Sequence, residues 1–422
     1  MVYLGENMRR KLFAFIIAIC LSVACVFCLT ACGEDGDNHK HSFSDGKCSC
    51  GANVPSEGFE FALSEDGSYY SIVGIGSCED NDIVIPYEYK GKPVKVIGVK
   101  AFENCQQITS VEFIDTVTVI NAWAFSDCYN LKTIKFGKHL NEIDWCAFEN
   151  CTSLETISIP DSVKEIDYGS FRNCINISKL SLGNGVKTIG AYAFSGCSKL
   201  ITITLPSSLA YIGDAPFNLC SKLIEVYNKS KFNIIAGSES GSAIGLYAKN
   251  VYKNSNGSKL SYDENGNAFY DDNGNYILIG NPSLSTETTL TLPSSYKNKS
   301  YSISDNAFRS SLSLVEVVIP NGVTSIGKQA FSWCKSLQKV TIGDDVEIIG
   351  EAAFYQDTYL MSLTIGKGVK KIESHIVRNC VMLTSIRYNG TVAEWGEIDR
   401  EYLWKIDSAV SRIICSDETI SA

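Results

Sequence analysis

The sequence predicts a solenoid that is mostly β, with short 3₁₀ or helical turns, and three observations support this prediction. A small residue followed by phenylalanine returns every 23 residues, and a fixed period in the twenties is typical of stacked repeats. Within each period the apolar residues are first three apart and then two apart. The periods form two blocks, each preceded by a small strand-rich leading module. The repeated pairs are Ala101-Phe102, Ala124-Phe125, Ala147-Phe148, Ser170-Phe171, Ala193-Phe194 and Pro216-Phe217, then Ala307-Phe308, Ala330-Phe331, Ala353-Phe354 and Ile376-Val377.

The third repeat illustrates how one period folds. Phe148, Cys151 and Leu154 are spaced by three, which suits a tight helical turn. Ile157 and Ile159 are spaced by two, so the residue between them points the other way, as in a β-strand. The few inward side chains of one repeat cannot form a core alone. We therefore expect consecutive repeats to stack about 4.8 Å apart and to share a continuous core.

This repeat resembles the bacterial leucine-rich-repeat family often called BspA-like, whose unit is roughly A-F-x-x-C-x-x-L-x-x-I-x-I-P-x-x-V-x-x-I-G. The fifth repeat carries it as Ala193, Phe194, Cys197, Leu200, Ile203, Leu205, Pro206, Leu209, Ile212 and Gly213. The resemblance covers about 100–226 and 307–388. It implies a curved leucine-rich-repeat solenoid on a surface or secreted protein, often an adhesive one. It implies no enzyme activity.

Residues 1–31 are predicted to be a lipoprotein signal peptide. Three cations at 9–11 precede an apolar run over 12–31, as in an export signal. The run ends in Leu29-Thr30-Ala31-Cys32, which resembles the bacterial lipobox and makes Cys32 the predicted lipid attachment site. The alternative is an uncleaved membrane helix, because about twenty apolar residues can span a bilayer. We expect an exported chain, anchored by its N-terminal lipid to the outer face of a bacterial membrane.

Residues 32–58 form a polar tether that contains a histidine and cysteine cluster. His39, His41, Cys48 and Cys50 are suitable in type and number for tetrahedral zinc. The C-x-C spacing is tighter than the usual C-x₂₋₄-C, so a flexible spacer without metal is the alternative. Apart from this zinc no cofactor is predicted.

The remaining chain is predicted to duplicate one plan. Leading strands and the first repeat block occupy 59–228, and a second copy occupies 275–388. Between them, 229–274 is predicted to be a cap and hairpin linker, with Asn-Gly turns in 263–267 and 271–275. Calcium loops are the alternative for these turns, but they lack the closing glutamate. Residues 389–422 depart from the repeat and are predicted to be a C-terminal cap.

Charge and cysteine content limit the possible partners and chemistry. The formal net charge is −10, and an acidic surface argues against nucleic acid as a partner. Eight of the 17 cysteines recur three residues after the repeat phenylalanine or the valine that replaces it. In an exported protein they could form disulfides, but side chains stacked about 4.8 Å apart favour a column of buried thiols. No nucleophile–base spacing is present, so no catalytic residue is predicted and the chain is predicted not to be an enzyme.

The outward positions of the first predicted strand in each repeat form a ladder rich in Ser and Thr, with mixed charge and few aromatic residues. Glu225, two residues before Tyr227, is one of these outward positions. Binding to a protein or glycan ligand is predicted on this face. The alternatives are a merely solvated sheet face and a structural envelope protein without a dedicated ligand. The candidate binding residues are Glu112, Lys135, Ser158, Lys179, Ser181, Thr204 and Tyr227.

Overall fold

The computed structural model describes residues 53–239, 242–253, 257–282, 284 and 287–422, together with the backbone of four dipeptides between 31 and 48. The chain divides into two compact units. The first comprises residues 1–197 and 205–218, and the second comprises 198–204 and 219–422. Each unit is built from short strands joined by tight turns, and the described residues contain one α-helix, of six residues. The predicted fold class, a mostly β leucine-rich-repeat solenoid, is therefore confirmed.

The first unit begins with short antiparallel pairs and a small leading sheet. The strands are β1 (Ala31–Cys32) paired with β2 (His39–Lys40), β3 (Phe43–Ser44) paired with β4 (Lys47–Cys48), β5 (Glu60–Leu63), β6 (Tyr70–Gly74), β7 (Asp82–Val84), β8 (Glu88–Tyr89) and β9 (Lys92–Ile97). In the leading sheet β5 and β6 form a hairpin, and β9 runs parallel to β6 and antiparallel to β8.

After β9, each turn of the first unit adds one strand to each of two parallel columns. Paired residues are 23 apart, as Val111 and Ile134 are, so the sequence period is the register of the sheets. Column one contains β10 (Ser110–Glu112), β12 (Thr133–Lys135), β14 (Thr156–Ser158) and β16 (Lys179–Ser181). Column two contains β11 (Val119–Ile120), β13 (Glu142–Ile143), β15 (Glu165–Ile166), β17 (Thr188–Ile189) and β19 (Tyr211–Ile212).

The second unit repeats this plan with three sheets. A three-stranded sheet has the order β18 (Thr202–Leu205), β20 (Glu225–Asn228), β21 (Asn250–Tyr252). An eight-stranded sheet has the order β22 (Leu260–Tyr262), β23 (Ala268–Asp272), β24 (Asn275–Gly280), β26 (Tyr301–Ile303), β28 (Val323–Ile326), β30 (Ile348–Ile349), β32 (Lys371–Ile372), β34 (Asp399–Arg400). A seven-stranded sheet has the order β25 (Thr289–Thr291), β27 (Glu316–Ile319), β29 (Lys339–Ile342), β31 (Ser362–Ile365), β33 (Ser385–Tyr388), β35 (Arg412–Ile414), β36 (Thr419–Ser421).

The non-repeating segments contribute more to these sheets than their sequence suggests. Within 229–274, β21 pairs in parallel with β20, and the strands that flank the two Asn-Gly turns pair as the antiparallel hairpins β22–β23 and β23–β24. After residue 389, helix α1 (Val392–Glu397) begins at Thr391, which closes a capping box with Glu394. Both sheets then continue, because β34 pairs with β32 and β35 with β33. The segment predicted as a C-terminal cap thus completes a further turn without the repeat motif.

The repeat phenylalanines form the centre of each core. In the first unit the six rings from Phe102 to Phe217 are buried and stacked, with neighbouring centroids 4.8–5.4 Å apart. In the second unit Phe308, Phe331 and Phe354 stack at 5.2 and 5.7 Å. These nearly parallel rings are in van der Waals contact from turn to turn, so each turn buries an apolar surface that it could not bury alone.

The repeat cysteines lie beside the phenylalanines and face a backbone carbonyl. The Sγ atoms of Cys128, Cys151 and Cys174 lie 3.0–3.2 Å from the carbonyl oxygen of the phenylalanine 26 residues earlier. Burial raises the pKa of these thiols, to about 12 for Cys128. None of these three cysteines forms a disulfide bond. These positions agree with the buried-thiol interpretation and give each thiol a weak hydrogen-bond acceptor.

Asp357 replaces cysteine in this column in the second unit. Its side chain is completely buried, and Oδ1 accepts a hydrogen bond from the backbone N–H of Cys334 at 2.8 Å. Oδ2 is buried and has no hydrogen-bond partner among the described residues. Burial raises the pKa of the Asp357 carboxyl well above its ordinary value. The carboxyl is therefore a polar defect in an otherwise apolar column.

Backbone hydrogen bonds join each turn to the next at the phenylalanine. The Phe125 N–H donates to the carbonyl of Ala147 at 2.7 Å, and the Phe331 N–H donates to the carbonyl of Ala353 at 2.9 Å. The residue two positions before each aligned phenylalanine has a left-handed backbone, with φ of 55° at Trp123. This conformation turns the chain out of column two and back toward the core.

Candidate binding surface

The candidate binding residues lie in three separate sheets. Glu112 and Lys135 lie on β10 and β12, in a sheet that also contains β7. Ser158, Lys179 and Ser181 lie on the two-stranded sheet β14–β16. Thr204 and Tyr227 lie on β18 and β20, in the second unit. The structure therefore brings the predicted residues together in small groups within each unit.

The sheet β7–β10–β12 carries a shallow depression of about 210 Å³. Glu112 is central, because its Oε2 accepts a hydrogen bond from Asn53 Nδ2 at 2.7 Å and its Oε1 pairs with the Lys135 ammonium group. The side chain of Lys135 is 73% exposed and that of Glu112 is 18% exposed, so the cation is the accessible partner. Polar side chains in the lining are Asn53, Asp82, Ser110, Glu112, Thr133 and Lys135.

Asp82 gives this depression a fixed negative charge. Its Oδ1 accepts hydrogen bonds from Ser110 Oγ and Thr109 Oγ1, both at 2.7 Å. These bonds hold the pKa of the Asp82 carboxyl below its ordinary value. Opposite charges thus lie within one small sheet, an arrangement that can recognise a complementary polar surface.

The neighbouring pair β14–β16 presents exposed hydrogen-bonding groups. Ser158 and Ser181 are exposed and lie opposite each other in the parallel register, and Lys179 is exposed two residues before Ser181. Hydroxyl and ammonium groups on adjacent strands can contact one ligand, because same-face neighbours in a sheet lie about 5 Å apart.

Tyr227 is part of an internal polar network. The side chain is half-buried, its hydroxyl donates to Glu225, and its ring stacks on Tyr252 with centroids 5.9 Å apart. Glu225, an outward position of the predicted ladder, is completely buried because Ser258 Oγ and the Lys259 N–H also donate to it, each at 2.8 Å. Burial, followed by the Glu225 contact, raises the pKa of Tyr227 to about 12. Tyr227 therefore presents less accessible surface than the residues of the first unit.

The predicted lipid site and zinc ligands lie in the N-terminal segment, where no side chain is described. His41 and Cys50 lie outside the described residues, and only the backbone is described for Cys32, His39 and Cys48. In the described part of the chain no group of three or more candidate ligands is placed to hold a metal ion. A search of the same residues for helices long and apolar enough to cross a bilayer found none. The lipid and zinc assignments stay predictions.

A row of aromatic side chains in the first unit was not predicted. Trp123, Trp145, Tyr168 and Tyr192, here named the aromatic ridge, lie in four consecutive turns where the chain leaves column two. The Trp145 and Tyr168 rings are 6.2 Å apart, and the Tyr168 and Tyr192 rings are 5.8 Å apart. Trp145 is 52% exposed, and the other three are half-buried. A count of aromatic residues in the two positions before each Ala-Phe pair could have found it.

Comparison with known proteins gives results at the level of family and fold. No curated protein matches the chain. Among solved structures, a leucine rich cell surface protein from Faecalibacterium prausnitzii is 23% identical and covers 82% of this chain and 97% of its own, with a TM-score of 0.34. A leucine-rich repeat protein from Bacteroides ovatus is 20% identical and covers 87% and 91%, with a TM-score of 0.35. The pneumococcal vaccine antigen PcpA is 19% identical and covers 86% and 98%, with a TM-score of 0.35.

The repeats themselves match a known family directly. Residues 95–224 and 285–398 match the family described as "BspA type Leucine rich repeat region", in six copies that span more than half of the sequence. These ranges coincide with the stacked strands and the phenylalanine columns of the two units. Repeat sequence, strand register and core composition thus lead to one assignment: the chain belongs to the BspA type leucine-rich-repeat family.

Proposed function

We propose that this chain is an exported, lipid-anchored surface protein that binds a protein ligand through the outward face of column one in its first unit. The observation that carries the proposal is the grouping of Asp82, Glu112 and Lys135 around one depression, next to the exposed Ser158, Lys179 and Ser181. A leucine-rich-repeat stack holds such side chains on a rigid sheet, so little conformational entropy is lost when they bind.

A protein ligand is favoured over a glycan on this face by its chemistry. The exposed groups are hydroxyl, carboxylate and ammonium groups, and none of the candidate residues in the first unit is aromatic. Polar, mixed-charge surfaces form the rims of protein–protein interfaces and determine register and association rate. A structural envelope protein without a ligand is the competing function, and a binding experiment separates the two.

Reversing three charges on this face is expected to reduce ligand binding at least about tenfold, equivalent to ~1.4 kcal/mol. The variant combines Glu112→Lys, Lys135→Glu and Lys179→Glu, which retains an opposite-charge pair on β10–β12 but inverts the pattern that a ligand meets. Purified wild type and variant are compared for retention on immobilised fibrillar collagen, laminin and mucin. The melting temperature should stay within about 5 °C, because three substitutions at about 0.5 kcal/mol or less each change stability by no more than about 1.5 kcal/mol.

The second unit provides a matched control for this experiment. Glu316 and Lys339 form the same kind of pair on β27 and β29, with Oε1 and Nζ 2.8 Å apart. Glu316→Lys combined with Lys339→Glu should leave retention unchanged. Equal retention of the triple variant and wild type would place binding elsewhere, and no retention of wild type on any of the three surfaces would favour the structural function.

Membrane anchoring through Cys32 is tested separately. Cys32→Ala should move the full-length protein from the detergent phase to the aqueous phase in detergent partitioning of whole cells, because the predicted lipid supplies the apolar anchor. Ser42→Ala, in the same tether, is the control and should remain in the detergent phase. If Cys32→Ala also remains there, the mass of the wild-type protein decides between the two anchors. A wild-type protein that retains residues 1–31 shows that the apolar run over 12–31 is an uncleaved membrane helix and that the lipid anchor is wrong.

A further inference from the structure

We infer that the aromatic ridge of the first unit binds an uncharged polysaccharide built from β-1,4-linked hexoses, at a site distinct from the outward face of column one. The ridge offers one large aromatic side chain in each of four consecutive turns. An extended β-1,4-linked chain is a flat ribbon whose sugars present C–H groups on their faces. Such faces pack on aromatic rings, whose π electrons carry partial negative charge.

The spacing of the ridge follows the spacing of the turns. Backbone hydrogen bonds join Trp123 N–H to the Trp145 carbonyl at 2.9 Å and the Cys146 N–H to the Tyr168 carbonyl at 2.9 Å. Adjacent turns are therefore about 5 Å apart, which is comparable to the length of one pyranose along an extended chain. The ring planes of Trp145 and Tyr168 are inclined by 52° and those of Tyr168 and Tyr192 by 70°, so a linear polymer that follows the stack meets successive rings in different orientations and must twist to contact them.

The second unit shows that the fold does not require aromatic residues here. In four turns of the first unit, one of the two residues before the small-residue–Phe pair is aromatic. In the second unit the corresponding residues are Asp305 and Asn306, Lys328 and Gln329, Glu351 and Ala352, and Ser374 and His375. There Lys328 and Glu351 form an ion pair between turns. The ridge is thus an addition to one unit, and a surface row of one exposed and three half-buried aromatic residues is a candidate binding site.

Two ridge residues occupy backbone conformations that favour other side chains. Trp123 and Tyr192 both have φ of 55°, at a position where other turns have Gly169 or Asn306 but also larger residues such as Lys100, Gln329 and His375. Glycine and asparagine adopt this conformation more readily than large aromatic residues do. A bulky ring is retained at a position where a small residue would be less strained, which is consistent with a use for the ring itself.

Carboxylates beside the ridge supply hydrogen-bond acceptors and outnumber the nearby cations. Lys100 and Arg172 lie over the Trp123 and Tyr168 rings, but each is paired with a glutamate, Glu103 or Glu149. Asp144 Oδ1 accepts from the Trp145 N–H, and Asp167 Oδ1 accepts from the Tyr168 N–H, both at 2.6 Å. One oxygen of each carboxylate is therefore held beside an aromatic residue, and the other has no hydrogen bond among the described residues. Glu142 and Glu165 are paired in register on the adjacent strands. Burial and these neighbouring carboxylates raise the pKa of Glu142. Sugar hydroxyls can donate to this group, whereas a polyanion is repelled by it.

The test compares two polymers with the same backbone. Hydroxyethyl cellulose is neutral and carboxymethyl cellulose is anionic, and each is cast into native gels. The migration of the full-length protein, kept in a neutral detergent, is measured in both gels. We expect the neutral polymer to retard wild type and the anionic polymer to retard it less. Trp123→Ala combined with Trp145→Ala should weaken retardation about tenfold, since the contacts of one aromatic side chain are worth a factor of about two to ten.

Two further variants keep the inference falsifiable. Tyr168→Phe keeps the ring and removes the hydroxyl. This variant should still bind the neutral polymer, whereas a loss of binding would show that the hydroxyl, and not the ring, makes the contact. Tyr359→Ala removes a 57% exposed ring from the second unit and should leave retardation unchanged. Melting temperatures of all variants report folding. The inference is overturned if wild type migrates freely in hydroxyethyl cellulose, if the folded double variant is retarded as strongly as wild type, or if the anionic polymer retards wild type more.

Discussion

Phe148→Ala is expected to destabilise the first unit by about 3–5 kcal/mol. Phe148 is completely buried, its ring lies 5.2 Å from both Phe125 and Phe171, and Phe136 contacts it edge-on at 5.9 Å. Truncation to alanine removes these contacts and leaves a cavity in the middle of the column. The stacked turns cannot collapse into the cavity without breaking the register of both strand columns, so most of the cost should remain.

The measurement is hydrogen exchange of backbone amides combined with thermal unfolding. Because each turn contacts mainly its neighbours, the largest loss of protection should lie in the turns of Phe125, Phe148 and Phe171. Trp145→Ala is the matched control, since it removes a larger side chain from the same turn at a 52% exposed position. An equal loss of stability in both variants, or an even loss of protection along the whole chain, would contradict the stacked-core explanation.

Asp357→Cys is expected to stabilise the second unit by about 1–3 kcal/mol, because it removes a buried polar atom that has no partner. The introduced thiol should face a phenylalanine carbonyl, as its neighbours in the column do. The Sγ atoms of Cys334 and Cys380 lie 3.2 and 3.0 Å from the carbonyl oxygens of Phe308 and Phe354. The Cys334 N–H loses its bond to Asp357 but can bond to the phenylalanine carbonyl three residues earlier, as Cys128 does. A lower melting temperature in this variant would contradict the prediction.

The same carboxyl makes stability depend on pH in a direction that can be checked. The folded chain raises the pKa of Asp357 above its ordinary value of 3.8, so it holds the proton more tightly than the unfolded chain does. This contribution to folding is fully present below pH 3.8 and is lost as pH rises toward the raised pKa, by at most about 1.4 kcal/mol per pH unit.

Asp357→Asn isolates this contribution, because it keeps an oxygen for the Cys334 N–H and cannot titrate. The difference in melting temperature between wild type and this variant should shift in favour of wild type as pH falls from 7 to 4. All other carboxyl groups are present in both proteins and cancel in the difference. A difference that does not change with pH would show that Asp357 is not protonated in the folded state.

The fold was predictable from sequence because one periodicity determines both the local and the tertiary structure. The 23-residue offset between the Ala-Phe pairs is also the offset between hydrogen-bonded partners such as Val111 and Ile134. Where the motif ends, prediction weakens. Asn250–Tyr252 and Arg412–Ile414 extend the sheets without the repeat pattern, because parallel pairing to an existing strand depends on backbone groups that any sequence provides.

The surfaces were less predictable than the core. The alternation of inward and outward side chains along each strand correctly predicts that Lys135 and Ser181 are exposed, because an inward residue directs the next side chain outward. It placed Glu225 outward as well, but Ser258 and Lys259, from a non-repeating segment, cover that carboxylate. The aromatic ridge is divided between two positions of the repeat. Trp123 and Tyr192 lie two residues before the phenylalanine and Trp145 and Tyr168 lie three residues before it, so no single repeat position reveals the row.

The hydrogen bonds that run from each phenylalanine to the following turn have a consequence for how the gene can change. Each turn offers its neighbours the same donors and acceptors, as the bonds of Phe125 to Ala147 and Phe148 to Ser170 show. Recombination between two neighbouring repeats therefore deletes or adds a complete turn, and the flanking turns meet an equivalent surface. A deletion of any other length shifts every later strand out of register. Length variation among natural copies of such a gene should accordingly come in whole repeats, which lengthens or shortens the binding surfaces without redesigning the core.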